Sequence, residues 1–267
     1  MEFAFTLVQM SCYEGHRERN FDLARMMLEE RRPDRNKEFI LLPELFAIGF
    51  RHSDYDRLGA GIPGPTSEFI EELAEEQSAY VAGTGIEKAG KKWYNTLVMA
   101  SPDGRILAHY RKIHPFQEEK DTFTGGDRLA MVEAGGIKIG LQICYDIRFP
   151  EVSRKLALEG AEILIFPAAF PDPRSAHWDS LVQARAIENQ VYVAAANRVG
   201  AAFDDKIYFG HSHVVDPWGV RLLRLNSEEG VKTTTGDTAM IPSVREQITC
   251  YQDRAPQSYE EIEYFNE

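Results

Sequence analysis

Three polar residues stand at the ends of apolar runs in this 267-residue chain: Glu44 in EFILLPELF, Lys112 in RILAHYRK and Cys144 in GLQICYDIRFPE. Together these types suit nucleophilic attack on a carbonyl. A thiol supplies the attacking atom, a carboxylate moves its proton, and an ammonium steadies the oxygen that becomes negative. Each also has a plainer reading. Free cysteine is among the most buried residue types, so on its own stretch Cys144 is as readily a core filler as a nucleophile. A carboxylate inside an apolar run is costly unless paired or given a task, so Glu44 is either half of a structural ion pair or a working base. Lys112 alone reads as an ordinary strand-end lysine.

The alternation in GIKIGLQIC puts Ile137, Ile139, Leu141 and Ile143 on one strand face and Lys138, Gly140, Gln142 and Cys144 on the other. Cys144 is then expected at the C-terminal end of a strand, where open α/β sheets place their sites. Pro150 suits the first turn of the next helix. A tight turn between them would aim helix amides at the sulfur and favour the thiolate. His114, in KIHPF, offers a competing Cys-His dyad but reads as a loop residue beside Pro115. His211 and His213 share a strand face without a further ligand pair, so local structural roles are expected rather than a metal.

The elements that must carry these residues alternate along the chain. FAFTLVQM reads as a strand, residues 16 to 31 as a helix stopping before Pro33, and EFILL as a strand ended by Pro43. PTSEFIEELAEEQ reads as a helix with Thr66 as N-cap, AYVAGTGIE as a strand, and WYNTLVMASPDGRILAHYRK as a hairpin turning at Pro102 to Gly104. From residue 136 the order recurs: strand, helix after Pro150, strand AEILIFPAAF, helix 177 to 189, strand VYVAAANRV, then a hairpin turning at DPWG. Strands this continuously apolar are buried on both faces, so two sheets covered outside by helices are expected. No linker or low-complexity stretch separates the halves, and one domain over 1–267 is expected. A doubly wound dinucleotide fold is disfavoured, because SCYEGH replaces the glycine-rich turn after the first strand.

The net charge of −12 and pI near 5.1 argue against nucleic acid and anionic membrane as partners. Three widely spaced cysteines, at 12, 144 and 250, suggest neither a disulfide framework nor zinc, and fit a reducing cytoplasm. MEFAFTLVQM is too short and too acidic for a signal peptide, and no apolar run reaches the ~18 residues of a membrane span.

LLPELF, YRKIHPF and GLQICYDIRFPE, in that order, resemble the glutamate, lysine and cysteine motifs of the nitrilase superfamily, the carbon-nitrogen hydrolases. The resemblance extends through ARAIENQVYVAAANRVG and FGHSHVVDPWG. It implies a four-layer α-β-β-α sandwich, with Cys144 as nucleophile, Glu44 as general base and acid, and Lys112 beside the oxyanion, joined there by the backbone N–H of Tyr145. It also implies a second glutamate in the loop after the lysine motif, for which PFQEEKDTFTGGD offers Glu118 and Glu119, the count back from GGD favouring Glu119. CYDIRFPE is most similar to the ω-amidase branch. That branch implies hydrolysis of a small carboxylated ω-amide through a cysteine thioester, with no cofactor and no metal. Hydrolysis of N-carbamoyl compounds and acyl transfer to an amine are the rival activities, and a non-catalytic binding protein is a third. A glutamine amidotransferase would place glycine where Asp146 stands.

Arg148 is expected either to grip a substrate carboxylate or to pair with Asp146 or Glu151. Phe170 and His177 flank PDPRSA and are expected to wall the pocket, Trp178 and Leu181 to pack in the core, and Arg185 to pair with Glu188. The resemblance further implies a homodimer or higher homo-oligomer, with the tail 250–267 at a subunit interface.

Overall fold

The computed structural model describes residues 1–29, 37–202 and 205–265. The first half supplies β1 (Glu2–Gln9), α1 (Arg17–Glu29), β2 (Lys37–Leu41), the one-turn α2 (Tyr55–Leu58), α3 (Pro65–Gln77), β3 (Tyr80–Ala89), β4 (Lys92–Ala100) and β5 (Ile106–Arg111). The second supplies β6 (Ala130–Ala134), β7 (Ile137–Leu141), α4 (Pro150–Leu158), β8 (Ile163–Ala168), α5 (Ser175–Asn189) and β9 (Tyr192–Asn197). A ribbon of β10 (Val199–Ala201) and β11 (Ile207–Phe209) follows, then β12 (His213–Val215), β13 (Arg221–Arg224), β14 (Gly230–Asp237) and α6 (Met240–Gln247). The helix stop expected at Pro33 lies outside the described residues.

The strands form two six-stranded sheets, ordered β14-β1-β2-β3-β4-β5 and β13-β12-β9-β8-β7-β6. Each has three parallel strands at its centre, β1-β2-β3 or β7-β8-β9, continued on both sides by antiparallel partners. The two halves therefore share one plan, except that β14 returns from the second half to close the first sheet against β1. The sheets face each other, and Phe3 of β1 meets Tyr192 of β9 edge to face at 5.0 Å.

Strand alternation divides the apolar residues between two layers. Phe3, Phe5 and Leu7 pack between the sheets with Ile139, Leu141 and Ile163, whereas Val8 and Ile40 turn outward beneath Phe21 of α1 and Phe69 and Leu73 of α3. Val152 and Leu156 of α4 and Trp178 and Val182 of α5 cover the second sheet. The result is the four-layer α-β-β-α sandwich. Truncating a side chain such as Phe5 to alanine removes about 3–5 kcal/mol from this interior.

Two local expectations need correction. The N-cap of α3 is Gly64 rather than Thr66, because Pro65 takes the first helical position; the Ser67 hydroxyl then accepts from the Gly64 N–H at 2.9 Å. Cys144 does not end a strand. β7 stops at Leu141, and Cys144 opens a 3-10 turn, Cys144–Arg148, before α4 begins at Pro150. Among the described residues no helix is long and apolar enough to cross a membrane.

Candidate active site

The topology brings the three motif residues to one edge of the sandwich. β4 and β5 each reverse direction, so β5 runs the same way as β1 to β3, and Glu44 and Lys112 both follow C-terminal strand ends in the first sheet. Cys144 follows β7 in the second. The Glu44 N–H donates to the Ala168 carbonyl at the end of β8 at 3.3 Å, which ties the two sheets together there.

Lys112 Nζ lies 2.7 Å from Glu44 Oε1 and 2.8 Å from Glu119 Oε2, with all three side chains buried. Asn95 Nδ2 donates to Glu44 Oε1 at 2.7 Å, and the Ala169 N–H donates to Oε2 at 3.0 Å. The buried Cys144 thiol lies close enough to this carboxylate for each to shift the other's titration. Glu119 is held by the Phe116 N–H at 2.8 Å.

This packing sets the charges. Burial raises the Glu44 carboxyl above its ordinary value; Lys112 opposes that rise and Glu119 adds to it. Burial alone would lower the Lys112 ammonium, but the Glu119 and Glu44 carboxylates outweigh it and hold the group well above its ordinary value. Burial pushes the Cys144 thiol well up, Glu44 pushes further, and Lys112 offsets only part. Burial and Glu44 thus work against a resting thiolate. A 3-10 turn replaces the helix terminus that was to favour it, and a thiolate here would face two carboxylates across one ammonium.

The turn that carries Cys144 is tightly held. Cys144 has φ +42°, a left-handed conformation uncommon for a residue with a side chain, and Leu45 next to Glu44 has φ +47°. Buried Asp146 accepts from the Ile143 N–H at 3.0 Å, from the Tyr110 hydroxyl at 2.8 Å and from the His114 N–H at 3.2 Å, with His114 Nδ1 at 2.7 Å. Tyr110 lies two residues before Lys112, so one carboxylate couples the lysine strand to the cysteine turn. Arg185 Nε donates to the Ile147 carbonyl at 2.9 Å and its Nη1 pairs with Glu188 at 2.7 Å. Beyond the Glu119 turn, a Cβ on Gly126 would lie 2.3 Å from the Arg111 carbonyl, so only glycine lets the returning chain pass this close to the end of β5.

Cys144 opens onto an inner chamber of about 30 Å³ walled by Tyr145, Arg148, Phe170, Phe116 and Arg174. An outer chamber of about 340 Å³, lined by Arg51, His52, Lys206 and Tyr208, shares Phe116, Glu119 and Arg174 with it.

A family model for carbon-nitrogen hydrolases matches residues 5–246. The chain belongs to the carbon-nitrogen hydrolase family. It is 35% identical over 236 residues to omega-amidase NIT2 of Homo sapiens, covering 83% of this chain and 84% of that one. It is 34% identical to the 2-oxoglutaramate amidase of Bacillus subtilis, covering 95% and 98%. Among solved structures it resembles XC1258 of Xanthomonas campestris, a CN-hydrolase superfamily protein with an arsenic adduct in its active site, with a TM-score of 0.89, 30% identity and coverage of 96% and 98%. It also resembles Nit3 of Saccharomyces cerevisiae, of the nitrilase superfamily, with a TM-score of 0.83, 30% identity and coverage of 92% and 94%.

In this carbon-nitrogen hydrolase, geometry separates the two candidate glutamates. Glu119 is buried against Lys112, whereas Glu118 is exposed and pairs with Lys206 at 3.3 Å. His114 forms no dyad with Cys144; it stacks on Phe149 at 3.6 Å and meets Asp146. Arg148 pairs with neither Asp146 nor Glu151 among the described residues. It lies over the Phe170 ring at 5.1 Å, with Nη2 3.3 Å from His177 Nδ1. His177 is exposed and does not wall the chamber; it touches Arg148 from outside. Trp178 is buried as expected, and His211 and His213 both approach Asp179, at 3.4 and 3.1 Å. Among the described residues no group of three or more His, Cys, Asp and Glu is placed to hold a metal ion.

Asn95 and the Ala169 N–H escaped sequence reasoning. Asn95 carried a faint signal, a lone amide inside the apolar run WYNTLVMA. Ala169 carried none, because its part is played by backbone.

Proposed function

We propose that this chain is an amidase that cleaves a small carboxylated ω-amide, 2-oxoglutaramate or a close analogue, to the acid and ammonia through a thioester on Cys144. The observation that carries the reading is a buried thiol in the electrostatic field of Glu44 and Lys112, in a chamber that Arg148 also lines. The named activities of the two relatives point to the same substrate class.

Glu44 takes the thiol proton as Sγ attacks the amide carbon. The C=O electron pair moves onto oxygen, where the Lys112 ammonium and the Tyr145 N–H stabilise it, an arrangement of the kind worth about 3–4 kcal/mol per donor. Collapse breaks the C–N bond, and Glu44 gives its proton to departing ammonia. The emptied carboxylate then removes a proton from water, which attacks the thioester and frees the acid and the thiol. Glu119 keeps Lys112 charged and in place. Because Asn95, Ala169 and Lys112 fix both Glu44 oxygens, one carboxylate serves both half-reactions with little reorganisation.

The one-domain organisation and a cytoplasmic homodimer belong to the same proposal. The tail supports an interface there: Tyr259, Ile262, Tyr264 and Phe265 are all well exposed, an apolar surface that a partner subunit would cover. Sedimentation of the full chain against one ending at residue 249 should turn a dimer into a monomer; equal mass for both would remove the tail from the interface. For the activity, ammonia release from 2-oxoglutaramate and succinamate is the test. Activity confined to N-carbamoyl compounds would overturn the ω-amide reading.

A further inference from the structure

The inner chamber has two guanidinium walls, and Arg148 is only one of them. Arg174, in the loop between β8 and α5, lines the inner chamber and the outer one, at the neck they share. Among the described residues neither arginine is paired with a carboxylate. The acids nearby are engaged elsewhere, Glu119 with Lys112, Glu118 with Lys206 and Asp146 with Tyr110 and His114. Two unneutralised cations around so small a space repel each other until an anion enters.

Both guanidiniums rest on aromatic faces, Arg148 over Phe170 at 5.1 Å and Arg174 over Phe116 at 5.3 Å. Stacking restrains the plane of each fork and leaves its N–H edge available, the geometry that suits a planar carboxylate. The inner chamber is small, at about 30 Å³, and it shares its Arg174 wall with the outer one. A short acyl chain with its amide at Cys144 extends toward the wall that the two chambers share, where Arg174 stands.

We infer that Arg174 is a second receptor for the substrate carboxylate, a specificity-determining residue that closes on it from the neck while Arg148 holds it from the nucleophile's turn. The inference rests on the ω-amide reading for its substrate class, but not for the anion site itself. It assigns the enzyme to short amides ending in a carboxylate and makes neutral amides of equal length poor substrates.

Binding and turnover separate the two readings. Titration calorimetry of succinate into the Cys144→Ala protein should give a Kd that rises at least about tenfold on adding Arg174→Ala, the loss expected for a charge-assisted hydrogen bond, with Arg174→Lys in between. In the active enzyme, Arg174→Ala should raise KM for succinamate by a similar factor with kcat within about threefold, so that selectivity for succinamate over butyramide falls about tenfold. Equal succinate affinity with and without Arg174, or equal losses on both amides, overturns the inference. Arg174-dependent succinate binding by an enzyme that releases ammonia from no ω-amide upholds the anion site and overturns the proposed substrate class instead.

Discussion

Cys12 and Cys144 occupy equivalent places in the two halves of the molecule. Cys12 follows the end of β1 at Gln9 by the same three residues that separate Cys144 from the end of β7 at Leu141. β1 and β7 in turn hold the same position in their sheets, between an antiparallel strand and a parallel one. Both thiols are 7% exposed, and burial raises both, Cys12 to about 12. Their partners differ. Cys12 receives a hydrogen bond from Asn20 at 3.4 Å, and the nearby acid Glu14 is spent on Arg198 at 2.6 Å and on the Phe50 and Arg51 N–H groups. Cys144 lies in the field of the Glu44 carboxylate and lines a chamber, whereas Cys12 lines neither chamber. A place three residues past a strand end and a buried sulfur are common to both. The base and the opening belong to one.

Breaking the partnership should bring Cys144 toward the condition of Cys12. Glu44→Gln keeps the shape and removes the base, so kcat/KM for succinamate should fall about 10³- to 10⁴-fold; retained activity would mean that the base does not distinguish the thiols. Lys112→Met leaves two buried carboxylates unpaired and the oxyanion unsupported. Urea unfolding should show a loss of about 3–5 kcal/mol, and kcat should fall about 10²- to 10³-fold.

The pH profile sharpens the comparison. Attack requires Glu44 ionised, so the acid limb of kcat/KM should lie above the ordinary carboxylate range and activity should disappear as pH falls through it. Asn95 donates to the charged form, so Asn95→Ala should move that limb to higher pH and lower kcat by about tenfold. An unmoved limb would leave Asn95 a structural amide. The smallest effect belongs to Cys12→Ala, with kcat/KM within about twofold and a stability loss of about 1 kcal/mol.

Much of this arrangement was legible in the chain. Glu44, Lys112 and Cys144 each interrupt an apolar run, and the run lengths gave the parallel strands that converge on one edge. Arg185 and Glu188, one turn apart, are paired as expected. What escaped was long-range or backbone in origin. β6 and β14 are antiparallel strands with weak apolar alternation, and β14, in GVKTTTGD, is half exposed and pairs across the two halves. The 3-10 turn at Cys144 escaped because it and an α-helix terminus look alike when only Pro150 marks the boundary. Arg148 had two acidic neighbours in sequence, and only folding shows Asp146 already taken.

The most direct test is acid quenching during turnover of an ω-amide, followed by peptide mapping of the trapped protein. The account predicts a mass increase equal to the acyl group on the peptide holding Cys144 and none on the peptide holding Cys12. Acyl mass on Cys12, or undiminished ammonia release by Cys144→Ala, would contradict it.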